Sequence, residues 1–382
     1  MIQVKVDELT LSATVDVTDT ERWPEDALDI VKALGVDTGI IEHLGDPMPA
    51  PSALMGYTTG FDYGTHSFLC KASFNDTRPS MGVALRVSAQ ALDQWRFVSN
   101  KHVREMLKGA LTMKDAQVRV TRIDLAVDFV DEGLSVDEIS QAVNESTVGF
   151  FKEQRDGILR EISKGRRTHG KEGEVQTLYL GTRRKNSRWL ARLYDKAAEQ
   201  TSRKGPHLAF ALKQSDWKRL ELELRHGFAD QAGSFLAECL DDTIADNATA
   251  RYLHLGCQCW HLDDEGKPDV EEPWSEALVR GELVPPFISD YRSLLDLENS
   301  YAYHATDSGL ISLLNRVEGV WGPDAPGAVM GALLVEQHKA EVKDAVKRWL
   351  HANAKDYRDL YPTIDKMLKE GAVRADARRK NA

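Results

Sequence analysis

The chain has 382 residues and a formal net charge of −11, with 42% hydrophobic and 29% charged residues. These values are typical of a soluble globular protein of one or two domains, and no apolar run approaches the length of a membrane span. The four cysteines are sparse, and the N-terminus alternates like a strand and lacks a signal-peptide pattern. We therefore expect a cytoplasmic protein with no membrane contact.

The first 130 residues indicate mainly strands and turns. Leu9, Leu11 and Ala13 alternate with polar residues, which predicts a first strand. Further strands are predicted over 67–74, 82–88 and 118–129. A helix is predicted over 25–34 and a longer one over 89–109.

The rest of the chain passes from strands to helices. Ser135 begins a capping-box pattern, which predicts a helix start. The Gly-rich, basic segment 163–173 is predicted to be a loop, the runs 177–181 and 189–196 a hairpin, and 217–225 a later strand. Helical patterns follow at 238–255 and 329–352. The fold class is thus predicted as α+β with a mainly antiparallel sheet, divided into a domain over 1–262 and a mainly helical extension with a basic tail over 263–382.

Three of the predicted strands place ionisable side chains in matching phase. Alternate residues of a strand face opposite sides, so Asp124 and Asp128 share one face, as do Glu221 and Glu223 on another strand. Arg192, Tyr194 and Lys196 share a face of the third run. If these strands pair in one sheet, carboxylates suited to Mg²⁺ or Mn²⁺ lie beside a tyrosine hydroxyl. The alternative is that the carboxylates form salt bridges with in-phase arginines, namely Arg122, Arg219 and Arg225.

The order and spacing of five motifs resemble a known family. The motifs are Met81–Ser88, Arg122–Phe129, Thr177–Arg183, Arg192–Lys196 and Trp217–Glu223. Together they resemble the Rep_trans replication-initiation-factor family, which includes nickases of rolling-circle plasmids, replication proteins of some filamentous phages and MOBT-type conjugative relaxases. The resemblance covers about residues 1–260. The chain departs from the family after Ser88, where glycines are common and this sequence has Ala89-Gln90-Ala91.

The resemblance implies a metal-dependent nicking and closing enzyme. Tyr194 would attack a phosphodiester and form a 5′-phosphotyrosine link, with Lys196 and Arg192 stabilising the developing charge. The predicted metal ligands are Asp124, Glu221, Glu223 and Asp128, and the predicted cofactor is Mg²⁺ or Mn²⁺. Without the motifs, Tyr194 would be read as a strand tyrosine packed at a sheet edge.

The segment around Tyr194 is basic in a chain that is acidic overall. Residues 152–225 contain 19 Lys and Arg against 10 Asp and Glu, a local charge of +9. Because phosphate backbones respond to local patches, this segment is predicted to bind DNA. The predicted DNA-binding residues are Arg122, Arg166, Arg167, Tyr179, Arg183, Arg184, Lys185 and Arg188. Tyr179 could stack on a base or simply pack against the sheet.

The expected partner is origin DNA, first double-stranded and then single-stranded. The sequence has no Walker pattern, so strand separation would need a host helicase and a single-strand-binding protein. A homodimer is left open. The main alternatives are a conjugative relaxase and a non-catalytic DNA-binding protein on the same fold. An enzyme acting on small phosphate esters is a third possibility.

Overall fold

The computed structural model describes residues 1–15, 22–64, 69–153, 157–162, 164–170, 173–182, 187–279, 284, 301, 305, 310–339 and 363–380. The chain divides into two compact units, residues 1–289 and 290–382. The first unit continues past residue 262, and the functional boundary predicted there stays a prediction. Within the described residues, no helix is long and apolar enough to cross a membrane.

Antiparallel strands form two sheets in the first unit. The strands are β1 Ile2–Thr14, β2 Pro47–Pro49, β3 Thr59–Tyr63, β4 Cys70–Phe74, β5 Val83–Val87, β6 Gln117–Val130, β7 Val148–Glu153, β8 Leu159–Glu161, β9 Lys164–His169, β10 Val175–Leu180, β11 Trp189–Asp195, β12 Trp217–Arg225, β13 Gln258–Leu262 and β14 Pro268–Glu271. The large sheet has the order β2-β3-β4-β5-β1-β6-β12-β11-β10-β9, and the small one β14-β13-β7-β8. The predicted α+β class with a mainly antiparallel sheet is confirmed.

Helices connect and cover these strands. In the first unit they are α1 Trp23–Asp37, α2 Ile40–Leu44, α3 Ala89–Ser99, α4 Val103–Leu111, α5 Val136–Asn144, α6 Lys196–Arg203, α7 Leu208–Ala211, α8 Gly227–Glu238, α9 Asp242–Gly256 and α10 Pro273–Glu276. The described helices of the second unit are α11 Leu310–Trp321, α12 Ala325–Lys339 and α13 Ile364–Lys380.

One face of the large sheet is apolar and forms the core. Leu125 and Val127 of β6 and Leu222 of β12 are fully buried on this face, as the alternation in the sequence predicts. Helices α8 and α9 pack closely on it: a Cβ added to Gly256 would lie 2.4 Å from Leu222. The opposite face of the same strands therefore carries the polar residues.

Three predicted elements were wrong in their extent. The helix predicted over 89–109 is two helices, because Asn100 takes a left-handed conformation (φ 51°) that ends α3. The loop predicted over 163–173 contains β9, which pairs with β10. The helix predicted over 238–255 begins at Asp242, where the Asp241 side chain caps the first turn. The helix predicted over 329–352 corresponds to α12, and its residues beyond 339 lie outside the described residues.

Gly109 allows α4 to lie against the end of α1, and this contact gives a test of the fold. A Cβ at Gly109 would lie 1.9 Å from the backbone oxygen of Asp37, so one of the two helices must shift. We expect Gly109→Ala to lower the free energy of unfolding by about 2 to 4 kcal/mol, measured by urea denaturation. Gly319→Ala is the control, because no atom lies within 4 Å of its added Cβ. An unchanged midpoint for Gly109→Ala would contradict this packing.

Candidate active site

Strand pairing brings the predicted site residues onto one face. In the register of β11 with β12, Tyr194 lies opposite Arg219 and Arg192 opposite Glu221. In the register of β12 with β6, Glu223 lies opposite Asp124 and Arg219 opposite Asp128. Side chains of directly paired residues point to the same side, so the three predicted runs form one continuous polar surface.

Tyr194 lies at the centre of this surface and is 8% exposed. Its hydroxyl donates a hydrogen bond of 2.5 Å to Oε1 of Glu221. Burial and the neighbouring Glu221 raise the pKa of Tyr194 well above its usual value. In this arrangement the phenol is therefore neutral, and its proton points at a carboxylate that can accept it.

Lys196 reaches the hydroxyl from a helix rather than from the strand. The strand ends at Asp195, whose Oδ1 caps α6 by accepting from the amide of Ala198 at 2.7 Å. The prediction that Lys196 belongs to the strand is therefore wrong. Its Nζ nevertheless lies 3.4 Å from the Tyr194 hydroxyl and 2.5 Å from Oε2 of Glu199.

Arg192 is bound to Glu221 on the other side of the phenol. Its Nε and Nη2 both contact Oε2 of Glu221, and Nη2 lies 3.9 Å from Oδ2 of Asp124. Its Cζ is 6.0 Å from the centre of the Tyr194 ring. Burial acts to lower the pKa of Arg192, but Glu221, Tyr194 and Asp124 more than offset it, so the pKa lies above its usual value.

Asp124 and Glu223 share Arg122 at the neighbouring end of the surface. Arg122 holds both oxygens of Asp124, at 2.8 and 2.6 Å, and lies 3.4 Å from Oε2 of Glu223. Arg225 also pairs with Glu223. Burial raises the pKa of Asp124 to about 7, although Arg122 acts to lower it.

Asp128 belongs to a buried ion-pair group at the other end. Arg219 binds both of its oxygens at 2.7 Å, and the indole of Trp217 donates to Oδ1 at 2.7 Å. The same guanidinium contacts Oδ1 of Asp7 at 2.9 Å. Trp217 also packs with Val130 and Ala211, which fixes α7 over this end of the surface.

Asp7 and Glu199 are site residues that the sequence analysis missed. A register shift between Val6 and Glu8 in β1 lets both Asp7 and Glu8 face the polar side, where Asp7 contacts Arg219. The sequence carries a signal of this bulge that the strand prediction did not use: the apolar positions change phase between Val6 and Leu9, across two adjacent acidic residues. Glu199 was missed because Lys196 was read as a strand residue. A helix start at Asp195 would have shown the spacing of three residues that joins Lys196 to Glu199.

The predicted metal ligands do not form a cation site in this arrangement. Arginine side chains contact all four carboxylates, as the salt-bridge alternative predicts, and Glu221 also accepts from Tyr194. Within the described part of the chain, no group of three or more His, Cys, Asp and Glu side chains is placed to hold a metal ion. The donor set present therefore does not fit Mg²⁺ or Mn²⁺ without a rearrangement of the arginines.

The predicted DNA-binding residues are distributed over both faces. Tyr179 lies opposite Arg192 in the β10–β11 register, half-buried on the face of Tyr194. Arg167 lies opposite Leu178, which places it on the other face. The guanidinium carbon of Arg188 lies 5.9 Å from the Phe228 ring. Arg183, Arg184 and Lys185 lie outside the described residues, as does the side chain of Arg166.

Comparisons with known proteins agree with the resemblance in the motifs. Residues 118–252, which contain Tyr194 and all four carboxylates, match the family model described as replication initiation factor, Rep_trans. The fold is similar to the solved structure of a rolling-circle replication initiator protein from Geobacillus stearothermophilus. That match has a TM-score of 0.52 and 16% identity, and it covers 75% of this chain and 100% of the other. A comparison with curated proteins gives no match.

The Asp7–Arg219 pair predicts how stability depends on pH. Burial acts to raise the pKa of Asp7, but Arg219, Lys5 and Lys196 lower it from 3.8 to about 2 in the folded chain. Ionised Asp7 therefore stabilises the fold above pH 3.8, by about 2 kcal/mol, and this contribution is lost as the pH falls through about 2.

We expect Asp7→Asn to flatten the pH dependence of the free energy of unfolding in this range. At neutral pH the substitution should lower the free energy of unfolding by about 3 kcal/mol, because Arg219 loses a buried partner. Urea denaturation between pH 7 and pH 2 measures both effects. Asp29→Asn is the control, because the side chain of Asp29 is 74% exposed. This substitution should change the free energy of unfolding by less than about 0.5 kcal/mol. If the stability of Asp7→Asn depended on pH as steeply as that of the unchanged protein, Asp7 would not be the source of this pH dependence.

Proposed function

We propose that this chain initiates rolling-circle DNA replication by binding an origin and nicking one strand through Tyr194. The observation that carries the proposal is the position of the Tyr194 hydroxyl. It lies between a carboxylate and an ammonium group, on the polar face of a sheet, within the segment that matches replication initiation factors. That arrangement suits nucleophilic attack on a phosphodiester.

The chemistry follows from the partners of the hydroxyl. Glu221 accepts the hydrogen bond from Tyr194, so it is placed to take the proton as the phenolic oxygen attacks phosphorus. Lys196 then stabilises the charge that develops on the transferred phosphoryl group. The P–O3′ bond breaks, the 3′ oxygen leaves as a 3′-OH after taking up, through water, the proton that Glu221 received, and the strand stays joined to Tyr194 through its 5′ phosphate. The reverse reaction reseals the strand without ATP.

The surroundings of the site suit a polymeric substrate. Residues 152–225 carry a local charge of +9 although the chain as a whole carries −11. A small phosphate ester would need only the cations beside Tyr194, whereas a basic region of this length suits a long phosphate backbone. Double-stranded origin DNA and then the nicked single strand would use this region, with a host helicase and single-strand-binding protein completing replication.

Tyr194→Phe tests the nucleophile. It removes one oxygen from a buried ring, so we expect DNA binding to stay within about twofold while nicking and the covalent adduct fall by at least about 10³-fold. Supercoiled DNA carrying the chain's own gene is the substrate, and denaturing gels detect the adduct. Tyr57→Phe, in the loop before β3, should behave like the unchanged protein. Wild-type adduct formation by Tyr194→Phe would refute the proposal.

The salt dependence of binding tests the predicted phosphate contacts between β10 and β11. Replacing Arg183, Arg184 and Lys185 by Ala should reduce the slope of log K against log salt by roughly one unit per lost contact. Binding should weaken for all sequences alike, while cleavage of a short single-stranded substrate at high concentration survives. The same measurement on Lys32→Ala, an exposed lysine of α1 that pairs with Asp29, is the control. An unchanged slope for the triple variant would exclude these residues as phosphate contacts.

A further inference from the structure

Glu199 contacts the ammonium group of Lys196 next to the Tyr194 hydroxyl. Oε2 of Glu199 accepts a hydrogen bond from Nζ of Lys196 at 2.5 Å, and the same Nζ lies 3.4 Å from the Tyr194 oxygen. The side chain of Lys196 is 11% exposed and that of Glu199 is 24% exposed. Burial acts to raise the pKa of Glu199, but Lys196 and Arg203 more than offset it, so the pKa lies below its usual value and the carboxylate is charged.

The stability of α6 does not explain the contact between Lys196 and Glu199. Lys196 is the first residue of α6, where a positive charge opposes the helix dipole, and a lysine that precedes its acidic partner is the weaker order of such a pair. Oε1 of Glu199 also pairs with Arg203, four residues further on, in the favourable order. The contact with Arg203 therefore supports the helix, whereas the contact with Lys196 fixes an ammonium group at the site.

The ammonium group of Lys196 has three N–H donors, and these contacts use two of them. One donor goes to Glu199 and one to the Tyr194 oxygen, whose own proton goes to Glu221. A lysine has a flexible four-carbon stem, so an ammonium group without a charged partner samples many positions. The carboxylate of Glu199 restricts Nζ to positions near the phenolic oxygen.

We infer that Glu199 is a positioning residue that holds the Lys196 ammonium beside the Tyr194 oxygen and leaves one N–H for the phosphate under attack. Glu199 acts through Lys196, and its own negative charge repels DNA phosphate. It therefore speeds cleavage while slightly weakening binding. The role in cleavage rests on the proposed function, whereas the hold on Lys196 does not.

Glu199→Gln tests the positioning, because it keeps the size of the side chain and removes its charge. We expect single-turnover nicking at saturating DNA to slow by about tenfold or more, since a misplaced ammonium stabilises the transferred phosphoryl group poorly. The DNA affinity should stay the same or rise by up to about threefold, since a negative charge near the phosphate backbone is lost. Damage to the fold would lower the rate and the affinity together, and a general charge effect would raise both. Either result, or an unchanged rate, would overturn the inference.

The dependence on Lys196 is tested by a double-mutant cycle. In the background of Lys196→Gln, Glu199→Gln should change the nicking rate by less than about twofold, because the group that Glu199 positions is absent. Equal slowing in both backgrounds would show that Glu199 acts independently of Lys196 and would contradict the inference.

Glu105→Gln is the matched control for the change of charge. Glu105 lies on α4, which packs against α8, and pairs with Arg104 at 2.8 Å. The substitution removes the same charge from an acidic residue that is paired on a helix, and it should leave the nicking rate unchanged. Slowing equal to that of Glu199→Gln would remove the specific role of Glu199.

The hold on Lys196 is tested without DNA, by labelling the full chain with a limiting amount of an amine-reactive reagent. Peptide mass spectrometry gives the labelled fraction of each lysine. We expect Glu199→Gln to raise the labelling of Lys196 by about threefold or more, because its Nζ loses a charged partner. Lys218 is the internal control: it is 13% exposed, pairs with Asp195 at 2.9 Å, and should label equally in both proteins.

The labelling result separates this inference from the proposed function. Unchanged labelling of Lys196 in Glu199→Gln would contradict the hold, whether or not the protein nicks DNA. Increased labelling, in a protein that forms no adduct on Tyr194, would support the hold and refute the nucleophile.

Discussion

The site depends on one constraint: carboxylates withdrawn from water must be matched by cations on the same sheet face. Strands β1, β6 and β12 place six acidic side chains on the polar face, and each contacts an arginine: Asp7, Glu8, Asp124, Asp128, Glu221 and Glu223. An unpaired buried carboxylate would cost several kcal/mol. The charged residues that alternate with apolar ones in β6 and β12 therefore serve the fold before they serve any chemistry. It also fixes the surroundings of Tyr194, because the arginine that neutralises Glu221 comes from the same strand as the tyrosine.

This matching gives the polar face one buried ion-pair group and two more exposed cations beside Tyr194. Arg219, with Asp7, Asp128 and the Trp217 indole, forms a buried group whose members are held by several partners each. Arg192 and Lys196 lie on either side of the Tyr194 hydroxyl and are more exposed than Arg219. Under the proposed function, a substrate phosphate would approach Arg192 and Lys196, while the group around Arg219 keeps the strands in register.

Much of this surface could be predicted from alternation alone. The phases of Asp124, Glu221 and Tyr194 follow from the period of two in a strand, and the apolar residues between them fix which side is core. The role of the arginines could not be decided in the same way. A sequence shows that Arg192 and Glu221 are in phase, but not whether the guanidinium or a metal ion neutralises the carboxylate. The bulge at Asp7 and the helix start at Lys196 were missed although each leaves a local signal. The apolar phase of β1 changes at Asp7-Glu8, and Asp195 stands where it can cap a helix that spaces Lys196 and Glu199 three residues apart.

The central claim is that the Tyr194 oxygen becomes covalently joined to DNA, and peptide mapping of the adduct tests it most directly. Arg192 and Lys196 flank the residue, so trypsin releases it in the peptide Leu193–Lys196. After nuclease digestion of the attached strand, mass spectrometry should find a nucleotide on this peptide, linked through its 5′ phosphate. A nucleotide on the peptide that contains Tyr179, or strand cleavage with no nucleotide on any tyrosine, would contradict the account.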